Sequence, residues 1–528
     1  MKTKTFVIII LILFLNLFSA SAANYGGDLK IKVELRPFNL NPIYAANDTA
    51  LMINKQIFDT LVNYNKQGQL TTNLAESWQV NEDSTVFTFN LKQNVYFHPY
   101  QINGKSVPLN EREVKAEDWK KSFEYLAAAE NKSPYAELFT EVEGYDEYRQ
   151  GESEEISGIK ILDKYNLEIE LEESYAPFIY NLAKRAAVVM PLEAVLNNYF
   201  NFSITPVGTG AFRFDSFSKN QVTLVKSDNY WKNNYQEQDL PYLDQIQVNF
   251  EGEKNLEDNL EEFDLFQLNS ADFASYQQQK NRYSNYQMQK LADKNLYYAA
   301  FNYNSYLDQT SNSNELKKRL RYSLDKCNFA DSSNFNRFIF PEDGNNSHLL
   351  FNKINEGLLK DVNDNISSQL KNLQLITNNS KINNQLAEFI KNKFKEDNID
   401  LEIKEYNWAE YFKKLNSPVF ESQLFIMSAN YNNRFEFIND NFYSTAENNF
   451  FNYQNERMDN LIDYLKLVNN NESRERAYEI ITEILVNDSP FLFLIQGADS
   501  YLISEEIKNQ EIFKNIYSKY NFEMLYFE

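Results

Sequence analysis

Apolar and polar residues alternate from Leu29 through Ile31 and Val33 to Leu35, the two-residue period of a half-buried strand, until Asn41-Pro42 interrupts it. Over 50–64 ("ALMINKQIFDTLVNY") the apolar positions 51, 53, 57, 58, 61 and 62 then fall along one side of a helix. Val86 to Phe97 returns to extended alternation and predicts a hairpin. Residues 115–130 ("KAEDWKKSFEYLAAAE") predict a helix whose early acidic residues suit the positive end of its dipole. Two strands follow over 156–173, joined at Asp163-Lys164-Tyr165-Asn166.

Strand patterns recur at "GAFRFDSF" (210–217), "QVTLVK" (221–226), "PYLDQIQVNF" (241–250) and "FDLFQL" (263–268), the spacing of a mixed sheet with helical connections. Residues 315–326 form an amphipathic helix. From "LQLITNN" (373–379) through a helix over 382–398, "IDLEIKEYNWAEYFKKL" (399–415) and "FESQLFIMSAN" (420–430), the order is strand, helix, strand, helix, strand. Two further helices and the strand "PFLFLIQG" (490–497) complete the chain. With no internal repeat and no low-complexity linker, two α/β regions predict two lobes joined by hinge strands.

The first residues belong to a different class of segment. Lys2 and Lys4 precede an apolar run from Phe6 to Phe18, broken only by Asn16, and Ala20 and Ala22 give an A-x-A site. This predicts a secretory signal peptide over 1–23, cleaved near Ala22 or Ala23, because the run is too short to span ~30 Å of hydrocarbon comfortably. No cysteine adjoins the site, so no lipid anchor is expected, and a periplasmic location fits. The only cysteine, Cys327, excludes an internal disulfide.

Charge and histidine content narrow the chemistry. A net charge of -23, more negative still without Lys2 and Lys4, excludes nucleic acid and anionic lipid as natural partners. His98 and His348 are the only imidazoles and sit in unrelated contexts, so neither a histidine metal site nor a Ser-His-Asp triad is expected. No metal and no cofactor are predicted. Aromatic residues make up 15% of the chain, more than cores alone need, which leaves rings to line a cavity.

"TPVGTGAFRF" (205–214) has two glycines in the manner of a phosphate loop, but position 213 is Arg213 and the next residues alternate as a strand, with no helix for a phosphate to meet. The glycines are read as structural: Pro206 extends Thr205, and Gly208 and Gly210 are expected to use positive φ to turn into the strand. "PVGTGAFRF", with "DNYW" (228–231) and "PYLDQIQV" (241–248), resembles the signature region of family 5 extracellular solute-binding proteins, the large oligopeptide- and dipeptide-binding receptors of ABC importers. The resemblance runs on through "LNPIYAANDTALMINKQIFDTLV" (40–62), "LAESWQVNEDSTVFTFNLKQNVYFH" (74–98), "VKAEDWKKSFEYL" (114–126), "LYYAAFNYN" (296–304), "LKKRLRYSLDK" (316–326) and 470–495.

The resemblance implies an α/β, periplasmic-binding-protein-like fold of type II, cluster C, with two lobes and an extra α/β subdomain. Lobe I is expected over 24–44, 170–270 and 496–528, the subdomain over 45–169, and lobe II over 271–495. It implies a monomer that encloses a peptide between the lobes and delivers it to an ABC permease in the inner membrane, without chemistry on the ligand. Peptide backbone is expected to pair with Arg36, Pro37 and Phe38 and with Met427, Ser428 and Ala429, as an added strand. Tyr135, Tyr297, Tyr298 and Trp408 correspond to aromatic pocket positions, each of which core packing would equally explain.

One departure bears on the ligand. Peptide-binding relatives read Trp-x-Ala-Asp-Tyr where this chain reads Met427-Ser428-Ala429-Asn430-Tyr431, so the carboxylate that meets a peptide's ammonium is an amide here. Leaving such a charge unpaired costs about 3–5 kcal/mol. The basic residue expected a few positions earlier is also absent, with Leu424 or Phe425 in its place. Arg434 offers a substitute anchor for an acidic group, or simply a surface charge. Asn430 and a ring-rich cleft would suit an oligosaccharide, the alternative ligand. A secreted hydrolase using two of the 75 acidic residues is the reading furthest from these, and neither G-x-S-x-G nor H-E-x-x-H supports it.

Overall fold

The computed structural model describes residues 26–305, 313–325, 335–337, 373–430 and 433–527, apart from positions 67, 198, 233–238, 251–255, 257–259, 269–271, 273–274, 277, 418–421, 489, 515–517 and 519. The expected leader, Cys327 and His348 lie outside the described residues.

The first strand, β1 (Asp28–Lys32), alternates as expected and buries Leu29 and Ile31 completely. It stops at Lys32, short of the predicted Leu35, which is exposed. Helix α1 (Asp48–Ile57) begins where Asn47 caps the Ala50 amide and Asp48 complements the dipole. It ends seven residues before the pattern predicts, for a reason visible in the structure. The Ile57 carbonyl, which a continuing helix would give to residue 61, instead accepts the Gly210 amide at 2.8 Å. Just beyond, Asp59 accepts bonds from Thr209 Oγ1 (3.0 Å) and Trp231 Nε1 (2.9 Å). Phe58, Leu61 and Val62 are buried all the same, as extended chain.

The paired glycines are therefore structural, but not through φ. Neither has positive φ; what they supply is close approach, since a Cβ at Gly208 would collide with the Ile57 carbonyl and one at Gly210 with that of Gln56. His98 locks the turn from its other side, its amide donating to Gly208 O at 2.8 Å and its Nε2 lying 2.9 Å from Gly210 O.

A four-stranded antiparallel sheet follows, in the order β2 (Ala75–Val80), β3 (Val86–Leu91), β5 (Asn166–Glu170), β4 (Ile159–Ile161). Helix α2 (Ala116–Ala127) packs on it, with Asp118 accepting the Lys115 amide at 2.8 Å in the manner of a capping box. Trp119, Phe123, Phe139, Phe178 and Phe87 form a chain of ring contacts beneath. This core runs without a break into that of β1, so the expected lobe I and its subdomain share one interior.

Among the described residues the main sheet has eleven strands. They are β1, β6 (Phe212–Phe217), β7 (Gln221–Lys226), β8 (Gln245–Asn249), β9 (Leu265–Leu268), β10 (Tyr286–Phe301), β11 (Phe335–Arg337), β12 (Leu373–Asn378), β13 (Leu401–Tyr406), β14 (Leu424–Asn430) and β15 (Phe491–Ser504). The order is β6-β7-β8-β1-β9-β15-β10-β14-β12-β13, with β11 pairing to β15. Helices α3 (Ser313–Asp325), α4 (Lys381–Glu396) and α5 (Trp408–Leu415) connect its second half, and α6 (Arg434–Phe442), α7 (Glu456–Leu467) and α8 (Asn471–Asp488) follow β14.

Two strands hold the halves of this sheet together. β10 spans 16 residues and β15 spans 14, and they pair antiparallel from Tyr286↔Ser504 to Ala300↔Phe491. One end of the ribbon borders β9 and the other borders β14. Register shifts between Ala292 and Leu296, opposite Ala498 and Gln496, so the ladder is irregular where the halves meet.

Candidate functional site

A second set of contacts joins the halves away from the long ribbon. Ala176 N donates to Lys466 O at 2.7 Å, and Ser84 Oγ to Leu467 O at 3.1 Å. The Arg474 guanidinium, whose Nη1 caps the carbonyls of Leu465 and Val468, lies over the Tyr180 ring at 5.6 Å. Beside these contacts lies a cleft of about 560 Å³. Its walls come from the start of α1, from 134–141 and 175–186, and from α6 with its cap Asn433.

Each wall is fixed by local bonding. Tyr135 hydroxyl donates to Ala45 O at 2.7 Å, and Asn181 Nδ2 to Leu138 O at 3.1 Å. Asn433 Oδ1 caps α6 by accepting the Glu436 amide at 2.8 Å. Two contacts cross between the walls: Lys184 Nζ to Glu436 Oε1 at 2.9 Å, and an edge-on pairing of Tyr175 with Phe435 at 6.0 Å between ring centres.

The electrostatics are lopsided. Asp48, Glu137, Glu141, Glu436 and Asp440 line the cleft against only Lys184 and Arg185. Burial pushes the Asp440 carboxyl up to about 6, with Glu436 adding to the rise and Asn439 and Lys184 opposing it. Burial raises Glu141 in the same way. It also lifts the Tyr175 hydroxyl well above the ordinary phenol range, helped by Glu141, Asp440 and Glu436, so Tyr175 stays neutral. Among the described residues no group of three or more His, Cys, Asp or Glu side chains is arranged to hold a metal ion.

Of the residues singled out by sequence, Tyr135 alone lines this cleft. Arg36 is exposed and stacks near Phe217 and Phe250, at 5.3 and 5.7 Å, while its carbonyl accepts Asn47 Nδ2 at 2.9 Å. Pro37 is buried beside a Phe38 that is 87% exposed. Tyr297 packs against the core under β12 and α4. Tyr298 is a correction to the pocket reading: it is 1% exposed, stacks on Phe451 and donates to Asn441 Oδ1 at 3.1 Å, so it is a core ring. Met427 is buried in the same core and Ser428 is half-buried. The side chains of Ala429 and Asn430 lie outside the described residues, though their backbone pairs with Leu296 and Asn295. Trp408, 51% exposed, opens α5 and meets Tyr411 and Phe412, outside the cleft lining. Arg434 is neither a surface charge nor a spare anchor: it is buried, pairs with Glu475 at 2.6 and 3.2 Å, and lies 4.1 Å over the Tyr478 ring. Glu141, Tyr175, Lys184, Glu436 and Asp440 carry no local motif that would have singled them out.

One feature of β14 is suited to an added strand. β10 pairs with it along its whole length, from Leu424 to Asn430, whereas on its other side β12 pairs only with Leu424 and Phe425. Among the described strands none covers that side from Ile426 onward.

A family model for bacterial extracellular solute-binding proteins, family 5 (middle part), matches residues 69–334, half of the chain. The oligopeptide-binding protein SarA of Streptococcus gordonii is 26% identical over 225 residues, covering 40% of this chain and 32% of that protein. The dipeptide-binding protein of Escherichia coli is 29% identical over 206 residues, covering 37% and 36%. The matched stretches thus span about a third of these relatives' own length. Among solved structures, the unliganded open form of MppA, a periplasmic murein tripeptide binding protein, superposes with a TM-score of 0.74 at 17% identity, over 96% of this chain and 98% of that one. The expected periplasmic-binding-protein-like fold is the one observed. No described helix is long and apolar enough to cross a membrane.

Proposed function

Because the chain belongs to the bacterial extracellular solute-binding proteins of family 5, we propose that it captures a short peptide in the cleft between its halves and passes it to an ABC permease. The observation that carries this reading is a cavity of about 560 Å³ walled from both halves of a fold whose halves are joined by two long strands. Such a site can enclose a ligand by bending one ribbon, without refolding either half. Relatives named for oligopeptide and dipeptide binding support a peptide as the ligand.

Two elements support recognition of peptide backbone. The side of β14 at Met427–Ala429 offers main-chain groups to an extended segment, in the way an edge strand takes an added strand. Arg36, Pro37 and Phe38, just past the end of β1, supply the facing backbone from the other half, and Pro37 can only accept there. Tyr135 within the cleft, and Tyr297 and Trp408 beyond its lining, are proposed to meet side chains of a ligand long enough to extend out of it. Binding needs no nucleophile and no metal, and the chain acts on its ligand by enclosure alone, as an exported monomer in the periplasm with its leader removed.

The test is to purify the exported protein, release its small molecules by denaturation and identify them by mass spectrometry. Titration of the stripped protein with a peptide library follows. Peptides of narrow length and mixed sequence, bound at micromolar or better affinity, are expected. A discrete oligosaccharide series, or turnover of any peptide or glycoside, would overturn the reading.

A further inference from the structure

The tip of a hairpin is ordinarily its most solvated part, and the tip between β2 and β3 departs from that at one residue. Asn81, Glu82 and Asp83 are exposed, yet Ser84 is 0% exposed and holds φ at 56°, a left-handed conformation unfavourable for serine. The turn itself does not use the serine hydroxyl. Asn81 Oδ1 accepts the Thr85 and Val86 amides at 2.9 and 3.0 Å, and Asn81 O accepts the Ser84 amide at 3.1 Å. What the hydroxyl meets is the other half of the molecule: it donates to Leu467 O at 3.1 Å and accepts from Asn469 Nδ2 at 2.5 Å, where α7 turns into α8. Tyr175 N donates to Ser84 O at 3.2 Å, and the next amide, Ala176 N, crosses to Lys466 O at 2.7 Å. Arg474, buried on α8, holds the receiving turn through the carbonyls of Leu465 and Val468.

We propose that the Ser84 tip is a latch: seated in the turn between α7 and α8, it resists separation of the two halves in the ligand-free protein. The covalent connection through β10 and β15 is a pair of strands that can bend, whereas the bonds at 466–469 lie away from that ribbon. Any motion that draws α7 from the hairpin breaks them together. Tyr175 ties the latch to the cleft, because its amide belongs to the first and its ring, edge-on to Phe435, lines the second. Docking also accounts for the backbone of Ser84, since an unfavourable φ persists where surrounding contacts over-determine it. The two bonds of the hydroxyl shift the ratio of docked to undocked molecules by about tenfold. None of this depends on what the cleft binds.

The experiment is hydrogen exchange of the full chain, emptied of small molecules, read by mass spectrometry on peptides spanning 172–180, which carry the Tyr175 and Ala176 amides. Ser84→Gly removes the hydroxyl and suits the turn, because glycine adopts positive φ without strain. It is expected to quicken exchange at 175 and 176 about tenfold, while the amides of β3 keep their wild-type rates. Asn469→Ala, at an exposed position on the other half, should quicken it less, and the double variant no more than Ser84→Gly, because both changes remove the same bond. Ser84→Asp keeps a residue that tolerates the left-handed turn but sets an acceptor against Leu467 O, and should raise the radius of gyration in small-angle X-ray scattering. Wild-type amides at 175 and 176 that exchange as fast as unbonded ones would overturn the latch. So would unchanged exchange in Ser84→Gly, or faster exchange with the scattering of Ser84→Asp equal to wild type, which would make the contact local. Should a Ser84 variant fail to fold, Asn469→Ala decides by the same exchange measurement.

Discussion

Asp440 gives a prediction for the empty protein whose sign is unusual for a carboxylate. Its folded carboxyl titrates at about 6 against an ordinary 3.8, because burial on α6 disfavours the charged form more than Asn439 and Lys184 favour it. The folded state therefore holds the proton more tightly than the unfolded state, and stability falls as pH rises between the two values. The difference between 3.8 and about 6, at 1.36 kcal/mol per tenfold change in proton affinity, makes the ionised group cost about 3 kcal/mol at pH 7, an upper figure because Asp440 keeps some contact with water. Asp440→Asn keeps the oxygen that accepts from Asn439 and removes the charge. The ligand-stripped variant should melt about 2–6 °C above wild type at pH 7, and together with it at pH 4. Comparing the two proteins at each pH isolates this group from Glu141 and other raised carboxyls. Thermal melts followed by tryptophan fluorescence at half-unit steps of pH provide the assay. A variant that is less stable at pH 7, or a difference that does not change with pH, would refute the argument that burial of this carboxyl outweighs what Asn439 and Lys184 contribute to its charged form.

Three further outcomes are expected. A proton NMR titration should show the His98 imidazole with a pKa near 4, because burial lowers it from 6.5, with Arg213 adding to the fall and the Gly210 carbonyl opposing it; a His98 signal titrating near 6.5 would place it in water. The same depression has the opposite sign to Asp440, so the stability it supports is present above pH 6.5 and is lost as pH falls toward 4. Gly210→Ala should cost about 1–3 kcal/mol or more, read as a lower melting temperature, since the new methyl must push against the Gln56 backbone carbonyl; an unchanged melt would mean that the turn can shift freely. Arg434→Met should lower stability by about 1–2 kcal/mol through loss of the Glu475 pair and the Tyr478 ring contact, with peptide affinity held within about twofold; a large loss of affinity at constant stability would restore it as a ligand anchor.

Most of the fold was legible because its strands are half-buried and alternate, and because its helices carry apolar stripes that pack on one face. β1, β3, β5, α2 and α4 appear close to where periodicity placed them. Where periodicity failed, a distant contact had overruled it. The apolar stripe of 50–64 satisfies a helix throughout, yet the Ile57 carbonyl is taken by Gly210, from more than 150 positions away, and the remaining apolar residues are buried as extended chain instead. The same event explains the glycines: their need is set by the backbone that α1 presents to them, which no pattern local to 205–214 encodes.

The site was less legible, because its character is a sum over residues far apart in the chain. Tyr135 came through resemblance, but its neighbours in the cleft begin at Asp48 and end at Tyr520. Among 75 acidic residues nothing local distinguishes Glu141 or Asp440; what distinguishes them is the partial burial that the folded cleft imposes. Arg434 shows the converse. As a sequence feature it stands next to the ligand-binding segment and looks available, and only its packing against Tyr478 and its pair with Glu475 remove it. Tyr298 is removed in the same way, since a ring in a strand pattern can face either the cleft or the core, and one residue of register decides which. Charge in such a cleft is therefore decided by which groups pair with one another across the fold.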